Sequence, residues 1–195
     1  MPKGRLEAFT DGVMAIIITI MVLELKVPDG FELNSLLPVV PKLLIYLLSF
    51  VFVGIYWMNH HHMVHTAKKV TGGILWANLS LLFWLSLFPF VAHWMGENLL
   101  RPLPSAAYGL ILFMSGISYL ILQRSIIASD GDNSALKKAV GNDWKGKVTS
   151  LLIVIGVVFS FIQAGLSLII YILITIIWMI PDRRIEKVLS SDRDE

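Results

Sequence analysis

Polar and apolar positions along the chain fall into long blocks. Runs nearly free of charge lie near 6–25, 41–60, 73–95 and 105–123. Each is close to the roughly 17–25 residues that about 30 Å of hydrocarbon asks of a helix. They predict four membrane-spanning helices. A further run, 148–180, carries no charge at all; as one helix it would be about 50 Å long, too long for a single crossing without extreme tilt. It is read as two shorter helices turning near Gln163-Ala164-Gly165-Leu166-Ser167. The expected fold class is an all-α integral membrane protein with six transmembrane helices, at about 5–25, 41–63, 73–95, 105–124, 148–164 and 166–181. These form one domain over 1–195, with a connector at 125–147 and a tail at 182–195.

Composition agrees: 56% of residues are hydrophobic and 15% charged, with a mean hydropathy of +0.73, far from the quarter charged of ordinary soluble domains. The absence of cysteine excludes disulfides, thiolate metal sites and a cysteine nucleophile. Charge placement sets orientation. With six spans and both termini cytoplasmic, thirteen of the sixteen basic residues fall inside, and Lys26, Lys42 and Arg101 outside. Five spans would export the basic tail. A cleaved leader is not expected, because Asp11 interrupts the first apolar run and no small-residue cleavage site follows. The expected location is a multi-pass position in the cell membrane, in contact with the lipid bilayer and with no nucleic-acid partner.

Arg5 and Asp11 then change the picture. They open the first span, in Arg5-x-x-x-Phe9-Thr10-Asp11, where an ionisable group costs several kcal/mol and marks function. They need partners, and His60, Trp57 and Asn78 near the cytoplasmic ends of the second and third helices are the candidates. Further along, Ile16, Ile20 and Leu23 fall within about 60° of one another on a helix, and Asp11 points about 150° from the centre of that stripe. The stripe can face lipid or neighbouring helices, or line a pore as a hydrophobic constriction; periodicity does not choose. Thr19 can bond back to the carbonyl of Ala15. Glu24 is either a solvated cap or a charge that gathers cations at a mouth.

Other motifs add less. His60-His61-His62-x-x-His65 places His61 or His62 on a face with His65, which suits a zinc, copper or nickel ion, or a pH sensor, but no nearby carboxylate or cysteine completes a site. Ser129-Asp130-Gly131-Asp132-Asn133 lacks the glutamate a calcium loop needs at its twelfth position, which is Gly141. Val53-Gly54-Ile55-Tyr56 lies inside a continuous span with no short pore helix before it, so its glycine serves packing. The transporter alternative wants a charged midplane and an enzyme wants clustered titratable groups; the chain offers neither. No cofactor is implied, and the chain is not read as an enzyme.

The Arg5-x-x-x-Phe9-Thr10-Asp11 opening, Trp57-x-x-His60, Asn78 with Pro89-Phe90, and Trp178-x-x-Pro181-Asp182-Arg183-Arg184 resemble the transmembrane protein 175 family, strongest over 5–90. The family's motif usually carries serine where Thr10 stands, and the hydroxyl is kept. The resemblance implies a potassium-permeable channel whose central pore is lined by the first helix of each subunit. The narrow hydrophobic layer falls on Ile16, Ile20 and Leu23 form further layers, and Thr19 matches a position tied to selectivity. Because the motif occurs once, a single chain supplies one pore helix, and a homotetramer of fourfold symmetry is expected. The alternative function is a secondary transporter or a metal-binding membrane protein using the His60–His65 cluster.

Overall fold

A computed structural model describes residues 2–131, 134–141 and 143–179. The described residues form eight α-helices: α1 (Lys3–Leu23), α2 (Val40–Thr66), α3 (Gly72–Ser86), α4 (Phe88–Glu97), α5 (Pro102–Asp130), α6 (Ala135–Val140), α7 (Trp144–Ile162) and α8 (Ala164–Met179). A 3₁₀ turn at Leu33–Leu36 bridges α1 and α2. α1, α2, α5, α7 and the α3–α4 pair are long and apolar enough to cross a membrane. The chain is a multi-pass membrane protein. α8, with 16 residues, is about 24 Å long.

Local chemistry sets several boundaries. Pro41 and Pro102 sit in the first turns of α2 and α5, where a missing N–H costs nothing. Thr71 and Asp143 accept backbone N–H groups of Ile74 and Gly146 and start α3 and α7. α5 ends at Gly131, whose φ of 73° suits a residue without Cβ.

Several expected boundaries are corrected. The third span is not continuous: it breaks at Leu87, because Pro89 has no N–H for the carbonyl one turn back and its ring crowds that carbonyl. α2 continues past 63 to Thr66. The connector at 125–147 is largely helical, since α5 runs on to Asp130 and α6 follows. The uncharged stretch divides at Gln163, where the backbone is extended. The tail 182–195, like Pro181 of its motif, lies outside the described residues.

Successive spans run antiparallel. At one end, which holds Lys68, Lys69, Lys137, Lys138, Lys145 and Lys147, Lys3 Nζ donates to the carbonyl of His65 at 2.8 Å, and Lys68 N–H to Asp130 Oδ1 at 3.1 Å. There too Trp178 Nε1 donates to Thr149 Oγ1 at 2.9 Å, so the first turn of α1 and the last of α8 share this basic end. At the far end Lys42 meets Glu97 at 2.8 Å and His93 meets Glu24 at 3.5 Å.

α5 runs through the interior. Its Tyr108 packs edge-on against Phe88 and hydrogen-bonds Ser49 at 3.0 Å. Tyr171 of α8 occupies a notch that Gly109 and Gly156 leave open, and donates to the carbonyl of Ser105 at 3.1 Å. A Cβ at Gly109 would collide with the Tyr171 hydroxyl and with Val157.

Candidate functional site

α1 lies at the edge of the bundle and buries one seam only: Leu6, Thr10, Met14, Ile17 and Met21. The spacing of four, four, three and four is that of a single helical face. This seam rests on α2, α3 and α4. The polar opening of the helix is fixed by hydrogen bonds to two of them. Asn78 of α3, 1% exposed, donates from Nδ2 to Thr10 Oγ1 at 2.9 Å. Its Oδ1 pairs with His60 Nε2 of α2 at 2.8 Å. An amide oxygen only accepts, so Nε2 carries the proton. One buried carboxamide thus ties three helices together. Removing it would leave buried groups unpaired, at about 1–3 kcal/mol each. Beside it, Trp57 Nε1 of α2 donates to Asp11 Oδ1 at 2.8 Å on the surface of the chain.

Of the partners expected for the motif's charges, Trp57 meets Asp11. Asn78 meets His60 and Thr10, and neither His60 nor Asn78 bonds Asp11. Arg5 differs from expectation: its side chain is exposed and hydrogen-bonds no group among the described residues, because the first turn of α1 projects it away from α2 and α3. Phe9 is likewise half exposed. Thr10 belongs to the motif whose hydroxyl the sequence keeps; that its partner is Asn78 is not written in the sequence, where the signal is that threonine shares a helical face with Leu6, Met14 and Ile17.

The stripe lies about 110° round the helix from the buried seam, with Asp11 about 100° to the other side. Ile16 is 59%, Ile20 41% and Leu23 75% exposed. Thr19 points away from the seam and donates to the carbonyl of Ala15 at 2.9 Å. Ala8, Gly12 and Ala15 are exposed alongside it, and a Cβ at Gly12 would meet nothing within 4 Å. α1 therefore presents a face of small and branched apolar residues that no other part of the described chain covers.

The remaining histidines behave differently from His60. His61, His62 and His65 are exposed at the basic end, His61 stacking on His65 at 6.1 Å. Among the described residues no group of three histidine or carboxylate side chains is placed to hold a metal ion. At the far end Glu24 is tied to His93 and not to Lys26.

Comparison with known proteins bears directly on the network just described. The sequence profile of the TMEM175 family, described as endosomal/lysosomal potassium channel TMEM175, matches residues 5–89, which contain every member of it. A potassium channel of Chryseobacterium sp. (strain P1-3) is 52% identical over 192 residues, covering 98% of this chain and 100% of that one. The endosomal/lysosomal proton channel TMEM175 of Homo sapiens is 36% identical over 94 residues, 42% of this chain and 19% of that protein. The crystal structure of a lysosomal potassium-selective channel TMEM175 homolog from Chamaesiphon minutus superposes with a TM-score of 0.80 at 26% identity, covering 92% of this chain and 97% of that one. With a near-full-length relative at this identity, and the α1–α3 hydrogen bonds inside the matched segment, the chain belongs to the TMEM175 family.

Proposed function

We propose that the chain is a potassium-permeable cation channel, assembled as a homotetramer in which four α1 helices surround a central axis. The observation that carries this reading is the uncovered face of α1. Ile16, Ile20 and Leu23 are exposed in the protomer although they open no polar site, while the motif's polar groups Thr10 and Asp11 are turned to α3 and α2. Around a fourfold axis Ile16 forms the narrow layer, with Ile20 and Leu23 beyond it, and these rings gate passage by resisting wetting. Ala8, Gly12, Ala15 and Thr19 let neighbouring helices approach closely. Heterologous contacts that close on themselves generate such a ring. The likeness to potassium channels over the full chain supports the choice of ion.

The network of Thr10, Asn78, His60, Trp57 and Asp11 is then the support that sets the lean of α1, not part of the conduction path. The basic end of the bundle faces the cytoplasm, and the location is the plasma membrane of a prokaryote.

Purified protein in planar bilayers tests the reading. Reversal potentials in mixed potassium and sodium should follow the potassium gradient without a coupled ion. Ile16→Ala should change conductance, and Thr19→Ala should change the ratio of potassium to sodium permeability. Saturable coupled exchange, or no current in reconstituted tetramers, would refute it.

A further inference from the structure

A cavity of about 370 Å³ opens between α2, α5, α6, α7 and α8, away from the uncovered face of α1. That volume falls in the roughly 300–1,000 Å³ range of built binding sites. Its inner part is apolar and aromatic, with Phe52, Ile55, Leu120, Ile153 and Ile177 around Gly116. Its uncharged polar groups include Asn59, Gln123, Thr149 and Ser150, and at the basic end it is lined by Trp144 and Trp178 with one carboxylate, Asp143, and one ammonium, Lys145. Tryptophans of this kind mark headgroup level in a bilayer. Lys145 lies 4.6 Å from the centre of the Trp178 ring.

Charge identifies the occupant. The stretch 137–147, which supplies Val140 and the start of α7 to the wall, carries four lysines, Lys137, Lys138, Lys145 and Lys147, against one aspartate, and of these charged groups Lys145 and Asp143 line the cavity itself. That aspartate, Asp143, accepts the N–H of Gly146 at 3.2 Å and caps α7. An apolar slot between membrane helices, with a basic mouth at the interface, selects an amphiphile with a negative head. From this geometry we infer that the cavity binds an anionic phospholipid, one acyl chain lying between α2, α5 and α7 and the phosphate at the mouth beside Lys145. The site adjoins the support of α1: Asn59 lines it, next in sequence to His60, and the Tyr119 hydroxyl reaches the Asn59 carbonyl at 3.5 Å. Lipid in the cavity therefore braces the segment of α2 that holds Asn78.

This inference stands apart from conduction, and native mass spectrometry of the full-length protein in detergent tests it. The protein is offered phosphatidylglycerol and phosphatidylcholine of matched chains. The wild type should retain phosphatidylglycerol preferentially. Lys145→Gln should weaken its retention about fivefold, the worth of one lysine at an anionic interface, and leave phosphatidylcholine unchanged. Gly116→Leu fills the slot and should weaken retention about tenfold or more; an added Cβ there lies 3.8 Å from the Tyr56 hydroxyl, so the backbone need not move. Lys26→Gln, at the other end of the bundle, should bind as wild type. If Gly116→Leu fails to fold, Lys145→Gln alone decides. Equal retention of both lipids, or Lys145→Gln matching wild type, overturns the inference, as does displacement of the lipid by free glycerol phosphate.

Discussion

Removal of the Asn78 carboxamide strands two buried groups at once, the proton on His60 Nε2 and the Thr10 hydroxyl. Asn78→Ala should lower the protein's stability by roughly 2–6 kcal/mol, from about 1–3 for each of the two unpaired groups, seen as a reduced melting temperature in detergent. Asn78→Asp keeps the acceptor for His60 and should lose less. The Trp57–Asp11 bond is exposed in the protomer, so Asp11→Asn, which keeps an acceptor, should assemble where Asp11→Ala does not. Ile16→Ala should leave melting within about 0.5 kcal/mol of wild type, as a change at an uncovered position does. Comparable losses of stability for Asn78→Ala and Ile16→Ala would contradict this contrast. The membership of this group was legible in the sequence, because Trp57, His60 and Asn78 are polar residues inside apolar spans. Its pairing was not. Helical spacing fixes the face a residue occupies, while the partner across an interface depends on the crossing of two helices.

At the scale of elements, hydropathy located the five segments long and apolar enough to cross a membrane, and, beyond the division near Gln163, the shorter apolar helix α8, since length alone forbids one helix there. It missed the break at Leu87, because Leu-Phe-Pro-Phe is as apolar as what surrounds it and only the missing N–H of Pro89 interrupts the helix. It also missed α6 and the last turn of α5: their polar faces read as a connector, although Leu136 and Ala139 are buried against the bundle. The α5–α7–α8 junction yields a further prediction. Gly109→Ala places a methyl against the Tyr171 hydroxyl and Val157, and should destabilise by about 1–3 kcal/mol. Combined with Tyr171→Leu, which vacates the notch, the two losses should be less than additive in a double-mutant cycle. Strict additivity would mean the notch is not what joins these helices.

For the whole molecule, Gly12 is the informative contrast to Gly109. A side chain at Gly12 meets nothing in its own protomer, so Gly12→Leu should fold and melt as a single chain does. It should nonetheless fail to assemble if four α1 helices touch along Ala8, Gly12 and Ala15. Mass photometry in detergent should then show monomers for the variant and, on the proposed arrangement, tetramers for the wild type; intact tetramers of the variant would move the axis elsewhere.

The two ends of α1 are held unequally. Near its start, Thr10 and Asp11 each accept one side-chain bond, from Asn78 and Trp57, and Asn78 is itself held by His60. Near its finish the side-chain tie is a half-exposed pair, Glu24 and His93 at 3.5 Å, of a kind worth at most about 1 kcal/mol. A tilt of such a helix would turn about its fixed opening near Asp11. Ile16 sits about 7.5 Å along it and Leu23 about 18 Å, so a tilt would carry Leu23 more than twice as far as Ile16. If four α1 helices surround an axis as proposed, spin labels on opposing subunits should report a broader spread of separations at Leu23 than at Ile16.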